Sequence, residues 1–245
     1  KIAPIHMPIR EEGKFVGYVN IVKQAGRKYI DRGKKKECPV PDYLQEYLEK
    51  YHEILMESVA EISEEFMDRY FAGEEFSVAE VSAALKMNIS EGSIIPVCMG
   101  STINIQGVAN QLDDICGYFP SPDQRTCAGM NSKTNEIYQA DYDFTKAKSA
   151  YVFKTIVDPF LGKYSLVKVC SGVIKGDDTL YNTGKEAEEK LNKLYVLEGS
   201  KPLEVPELHA GDIGAIAKLS TVATGDTLAT KNTPLLYGKT EISTP

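Results

Sequence analysis

The chain has 245 residues, with 28 Lys and Arg against 35 Asp and Glu, for a formal net charge of −7 with the three histidines neutral. Hydrophobic residues make up 42% and charged residues 26%, an ordinary globular balance that excludes a disordered or collagen-like chain. The length allows one or two domains at roughly 100–200 residues each. No run approaches the roughly 18 apolar residues of a membrane span, and residues 1–30 lack the succession of a signal peptide. The chain opens on Lys1, as expected of a piece of something longer.

Cys38, Cys98, Cys116, Cys127 and Cys170 are spread without a C-x-x-C pair, and His6, His52 and His209 lie far from one another. The pattern argues against a disulfide framework and a four-ligand zinc site, so no metal is expected unless folding assembles a site, and a reducing, cytoplasmic location is the simpler reading. Charge is uneven. Residues 1–41 hold ten basic and four acidic side chains, ending in Lys34-Lys35-Lys36, whereas residues 42–91 hold three and thirteen. Such asymmetry fits either a partner surface or two solvated faces. No whole domain is strongly basic, so a broad nucleic-acid footprint is absent.

In chain order, residues 14–23 alternate from Phe15 to Val22 and predict a strand or hairpin. Leu44, Leu48, Tyr51, Leu55, Val59, Ile62 and Phe66 form one helical stripe, started by Asp42 with Gln45 and stopped at Gly73. Ser77 and Glu80 form a second capping box, ahead of Val81, Ala84 and Leu85. Residues 94–99 read as a buried strand, with Pro96 against a ladder position. Val108, Leu112, Ile115 and Phe119 then predict a helix with this stripe, Ile115 included, toward the core, closed by Pro120 and Pro122. Strand, loop and helix form the tail of an α/β domain. Residues 121–148 are polar and unpatterned, and read as a linker, packed or free. From residue 150, YVFKTIVD, YSLVKVCSG, DTLYN, DIGAIAKL and DTLAT predict a small antiparallel barrel or sandwich. Residues 185–199 lean to strands over a short helix, and residues 231–245 read as a tail.

Catalytic motifs are missing. A P-loop needs G-x-x-x-x-G-K-[ST], but before Gly238-Lys239-Thr240 the first glycine is replaced by Thr233. Asp114-Ile115-Cys116-Gly117 matches D-x-x-G by letters alone, and Asn192-Lys193 continues into Leu194-Tyr195 rather than N-K-x-D. There is no G-x-S-x-G elbow or carboxylate pair in a cleft-forming loop; Glu64-Glu65 and Glu74-Glu75 read as helix-surface charges.

Four ordered blocks carry a family likeness. Ala150 to Gly172, AYVFKTIVDPFLGKYSLVKVCSG, resembles the opening of the second domain of bacterial elongation factor G, and Ala210–Ala215 with Thr224–Leu228 resembles its later strands. His6-Met7-Pro8-Ile9 with Phe15-Val16-Gly17 is similar to the start of the insert in that factor's G domain. Ile95–Ser101, Gly107-Val108 and Tyr118–Pro122 resemble the last G-domain strand and helix.

The resemblance implies a multi-domain α/β plus all-β fold. Its parts are an α+β insert at 1–92, a G-domain remnant at 93–122, a linker at 123–148, a β-barrel of the translation-factor domain II type at 149–230 and a tail at 231–245. It implies a cytoplasmic, monomeric, ribosome-binding GTPase without membrane contact, which moves tRNA and mRNA. GTP or GDP and Mg²⁺ would belong to the intact protein, with none bound to this stretch. Since phosphoryl transfer needs the P-loop, Mg²⁺ and a positioned water, this chain alone is expected to be inactive, with no catalytic residue. Gly100, Ser101 and Thr102 match the loop whose backbone N–H groups meet the guanine carbonyl; the alternative is an ordinary loop capped by Ser101. Lys163 and Lys168, near Asp158-Pro159-Phe160, are candidates for ribosomal phosphate, with solvated surface lysines as the alternative. The barrel would meet small-subunit rRNA and protein, and the insert the stalk protein.

The sequence also departs from the family. Thr102 replaces an alanine, Ile103–Gln106 replaces a basic loop, Lys168 and Cys170 replace Arg and Tyr, Leu194–Ser200 follows the barrel loop poorly, and residues 150–230 contain no arginine. A diverged recycling or protection paralogue, or a free-standing non-enzymatic binding module, are the other readings.

Overall fold

The computed structural model describes residues 1–31, 34–158, 162–199 and 201–239. These fall into two compact units, Lys1–Pro120 and Ser121–Pro245.

In the first unit, β1 (Ile2–Pro4) leads into an antiparallel meander of β2 (His6–Glu11), β3 (Lys14–Asn20), β4 (Ala25–Asp31) and β5 (Lys34–Cys38). The alternation predicted for residues 14–23 is β3. Its apolar residues pack against α1 (Asp42–Ala60), where Leu44, Leu48, Leu55 and Val59 are buried as the 3.6-residue spacing requires. The opposite face carries exposed Glu46, Glu49, Glu53 and Glu57, which accounts for much of the local negative charge.

The single long helix expected from residue 42 toward Gly73 is two. Ser63 breaks it by capping α2 (Glu64–Phe71), its side chain accepting from the Phe66 N–H at 3.2 Å. Asp42 caps nothing: Pro41 holds the N-cap position of α1, and Gln45 instead donates to the Val40 carbonyl at 3.3 Å. The box at Ser77 is present as expected, opening α3 (Val78–Glu91) with Glu80 N–H to Ser77 Oγ and Ser77 N–H to Glu80 Oε2. Arg69 ties α2 to α3. It pairs with Glu74 and Glu80 and lies about 5 Å over Phe66 and Phe76, which stack on each other.

β6 (Ile95–Val97) pairs in parallel with β1, so Pro96 sits in a two-stranded ladder with no interior position to fill. α4 (Val108–Tyr118) follows as predicted, but its exposed and buried faces are reversed. Leu112, Ile115 and Phe119 are 59%, 45% and 44% exposed, whereas Asn110 and Tyr118 are buried. The helix packs on α3 through Tyr118 and on the β2–β5 side through its polar residues, which have partners there. Its apolar stripe, with Ile2, Ile95 and Val97, is left uncovered in this chain.

Among the described residues every strand ladder of the second unit is antiparallel. The segment read as a linker contains a hairpin, β7 (Ala128–Asn131) and β8 (Ile137–Gln139). Then come β9 (Ser149–Asp158), β10 (Gly162–Ser171), β11 (Val173–Lys175), β12 (Thr179–Asn182), β13 (Ala187–Lys190), β14 (Leu194–Glu198), β15 (Lys201–Val205), β16 (Glu207–His209), β17 (Ile213–Ala217), β18 (Thr227–Ala229) and β19 (Leu235–Leu236). Eight of them form one sheet in the order β13-β12-β18-β9-β10-β17-β14-β15, while β11 pairs with β16. The residues at 185–199 are the strands β13 and β14. Val152, Val167, Ile174, Leu180, Leu194, Leu208, Ile216 and Leu228 form its core, each at most 1% exposed and worth about 1.5–3 kcal/mol in burial.

Both the linker and the tail are tied into this unit. β19 pairs with β7, the Tyr237 hydroxyl bonds Ser149 Oγ at 2.7 Å, and the Ser171 hydroxyl donates to the Ala147 carbonyl at 2.6 Å. Polarity concealed this packing from the sequence, because backbone pairing here supplies what an apolar pattern does not.

Candidate functional site

Two regions hold the residues singled out from the sequence. The first is the loop between β6 and α4. The Ser101 N–H donates to the Gln106 carbonyl at 2.7 Å, and the Gln106 N–H returns to Ser101 at 3.0 Å, closing a tight antiparallel bridge. Gly100 and Gly107 cross inside it. A Cβ on Gly100 would lie 2.9 Å from the Gln106 carbonyl oxygen, and one on Gly107, whose φ is +84°, would lie 2.7 Å from that of Met99. The bridge therefore needs both glycines.

Its consequence for the three candidate residues differs by position. Ser101 spends its N–H on Gln106, and its Oγ accepts from the Asn104 N–H at 3.4 Å, closing the loop's own turn. Thr102 and Ile103 are exposed at the tip, and among the described residues no acceptor faces their N–H groups. Gly100 serves the turn. Among the described residues the loop thus leaves the Thr102 and Ile103 N–H groups available to a ligand oxygen, while those of Ser101, Asn104, Ile105 and Gln106 are bonded within it. Beside it lies a cavity of about 400 Å³, lined by Tyr29, Ile30, Asp31 and Ile103–Gln106. Burial pushes the Tyr29 phenol up to about 12, with Tyr18 adding to it and the Gly107 backbone N–H opposing it. Among the described lining residues a phenol, the Asp31 carboxyl and exposed backbone N–H groups, without a basic side chain, suit a hydrogen-bonding group such as a base edge better than a phosphate.

The second region is β10. Lys163 donates to the Val222 carbonyl, and Lys168 lies 4.6 Å over the Tyr142 ring. Five residues apart on one strand, they are separated by about 17 Å and do not form one patch. Neither is a free surface lysine. The neighbouring Pro159 and Phe160 lie outside the described residues.

A third cluster, at Cys127 and Cys170, has no counterpart among the sequence motifs, because its members are 43 residues apart. Their side chains interact, and Tyr142 and Lys168 adjoin Cys127. The Cys170 contact, against the opposing effect of burial, brings the Cys127 thiol down to about 7, with Tyr142 and Lys168 helping; Cys170 itself is driven far up.

The strand order and the loop geometry give context to the comparisons with known proteins. The family described as elongation factor G domain 2 matches residues 147–231, from just before β9 to just after β18. Residues 147–231 are thus similar to domain 2 of elongation factor G. The likeness extends beyond this domain. A crystal structure of a protein from Thermus thermophilus matches 95% of the chain with a TM-score of 0.73 and 26% identity. The chain spans about a third, 33%, of that protein's length. The structural likeness thus spans both units, while the elongation factor G family match is confined to residues 147–231 of the second. Lys163, Lys168 and Cys170 all lie on β10 within domain 2, whereas the Thr102 loop lies outside the family match.

Proposed function

We propose that this chain is the insert, the end of the G domain and the domain II barrel of a ribosome-binding translational GTPase resembling elongation factor G. Such a protein would use GTP to move tRNA and mRNA. The observation that carries this is that the domain 2 match falls on the second unit while one solved chain matches 95% of the sequence, so that both units recur together. In this reading β6 and α4 are the last G-domain strand and helix, and the uncovered face of Leu112, Ile115, Phe119 and Ile95 packs on the rest of that domain's sheet. A free-standing module would gain nothing from exposing such a face.

The guanine carbonyl would be met by the N–H of Thr102, within the loop Gly100-Ser101-Thr102. The chain's motifs supply no phosphate cradle and no Mg²⁺ ligand, so no hydrolytic step passes through its residues. Domain 2 would meet small-subunit rRNA and protein, and the acidic α1 side of the insert the stalk protein, in the cytoplasm and as a monomer. A second reading, a diverged paralogue in ribosome recycling or protection, is favoured by one observation: Lys168 is held on Tyr142 rather than free for phosphate.

The test is co-sedimentation of the purified chain with ribosomes over a salt series, with phosphate release from GTP followed in parallel. Salt-sensitive binding and only background phosphate release are expected. Each lysine that meets RNA phosphate contributes about 0.7–0.9 to the slope of log affinity against log salt. An unchanged slope in the Lys163→Ala, Lys168→Ala double variant removes these residues from the interface, and turnover by the chain alone would refute its assignment as inactive.

A further inference from the structure

We propose that His6, Cys98 and Asp114 form a binding site for one divalent cation of zinc type. The site does not depend on the translational reading, and no sequence spacing announces it: the three residues come from the start of β2, the residue after β6 and the middle of α4.

Asp114 brings the other two ligand atoms to coordination distance of its own. His6 Nδ1 lies 3.5 Å from Asp114 Oδ2, Cys98 Sγ lies 3.5 Å from the same oxygen, and the ligand atoms all fall within 4.8 Å of one another. Zinc bonds of about 2.0–2.1 Å to nitrogen, 2.0–2.2 Å to oxygen and 2.3 Å to sulfur give tetrahedral edges of about 3.3–3.6 Å. The two edges to Asp114 fall in this range, and the His6–Cys98 edge, within 4.8 Å, would close onto the ion. One nitrogen, one thiolate and one carboxylate are a borderline donor set that selects Zn²⁺ or Co²⁺ over the all-oxygen preference of Mg²⁺ and Ca²⁺.

The surroundings enclose the three side chains and leave one side open. His6 is 4% exposed and Asp114 is largely covered. Burial pushes the Cys98 thiol up to about 12 and the Asp114 carboxyl up from its usual range, and it pushes His6 down. An ion bound here must displace the Cys98 proton, so its affinity should rise with pH. The Asn20 amide faces His6 Nε2 at 3.2 Å and holds the ring so that Nδ1 points to Asp114. With metal on Nδ1, the Nε2 proton would go to the Asn20 oxygen after that amide turns over. A cavity of about 460 Å³, lined by Cys98, Asp114 and Gln111 among others, gives entry and room for water as fourth ligand. Two cations oppose the charge of an ion. Lys35 is bonded to Asn110 Oδ1 at 2.7 Å and acts on His6, and Lys23 acts on Asp114, where the neighbouring Asp113 acts in the opposite sense.

The test uses the full chain, stripped with a chelator and titrated with Co²⁺. A site with Cys98 as ligand gives a thiolate-to-cobalt charge-transfer band and intensified visible bands, saturating at one ion per chain and abolished by Zn²⁺. Cys98→Ser should lose the charge-transfer band. Asp114→Asn should weaken binding at least tenfold, with circular dichroism checking that each variant folds. The Cys127→Ser, Cys170→Ser double variant should keep the band. Absence of the bands at one equivalent of Co²⁺ overturns the proposal, as does a band that survives Cys98→Ser or disappears with the Cys127 and Cys170 pair. Should Cys98→Ser fail to fold, Asp114→Asn decides: unchanged affinity counts against the site.

Discussion

Replacing Gly107 by Ala adds one methyl group at the crossing that shapes the candidate nucleotide loop. The backbone φ of +84° puts the new residue in the left-handed region, at a cost of about 1–2 kcal/mol. Its Cβ would meet the Met99 carbonyl oxygen at 2.7 Å and the Gly100 Cα at 2.9 Å. Both are backbone atoms that no side-chain rotation can remove, so overpacking adds about 1–3 kcal/mol. The expected loss is therefore about 2–5 kcal/mol. All four described α-helices lie in the first unit, so helical circular dichroism in a urea titration reports on it. A loss of about 3 kcal/mol with a slope of about 2 kcal/mol/M lowers the midpoint by about 1.5 M. Hydrogen exchange at the Ser101 and Gln106 amides should accelerate with it, since these two bonds close the loop. Gly117→Ala is the contrast: this exposed α4 glycine has ordinary φ and nothing within 4 Å of an added Cβ. It should stabilise by about 0.5–1 kcal/mol. A Gly107→Ala midpoint within error of the parent, with both amides still protected, would refute the reasoning about the crossing.

Three further outcomes follow from buried polar and capping groups. Glu189 is buried in the second unit, and its carboxylate accepts from the backbone and hydroxyl of both Ser220 and Thr221. Burial raises its pKa, the four donors outweigh that, and the net shift is downward. A depressed carboxylate stabilises above its unfolded pKa, about 4.3, and loses that contribution as pH falls through the folded value. Glu189→Gln, which turns an amide donor toward those donors, should cost about 2–4 kcal/mol at pH 7, and urea midpoints should converge with the parent's below about pH 4. With its pKa brought down to about 7, Cys127 holds far more thiolate at pH 7 than Cys98, which is pushed up to about 12. Brief iodoacetamide treatment followed by mass spectrometry should label Cys127 well before Cys98, and equal labelling would count against the Cys170–Lys168 environment. Ser77→Ala removes the acceptor for the Glu80 N–H at the start of α3, so that helix should lose about 1 kcal/mol by the same urea assay.

The long elements were legible because their sequence and their burial agree. The stripe of Leu44, Leu48, Leu55 and Val59 is the buried face of α1, and the Ser77–Glu80 box closes as its spacing demands. The hairpin at 128–139 was not legible. It packs through backbone pairing with Leu235 and Leu236, about a hundred residues away, and no local pattern carries so distant a partner. α4 shows the same limit at the level of a site. Periodicity correctly found its apolar stripe but could not say which face this chain covers. The buried side is set by Asn110, Asp114 and Tyr118 instead, because Lys35, His6 and Cys98 wait there with complementary groups. A polar residue turns inward when its partner is already inside. Thus the same rotation of α4 both leaves Leu112, Ile115 and Phe119 free for another surface and carries Asp114 to His6 and Cys98. The exposed face and the proposed metal site are two consequences of one helix orientation. Asp114→Leu should therefore disturb both, loosening α4 in hydrogen exchange while abolishing cobalt binding. Leu112→Ser, on the uncovered face, should leave both unchanged.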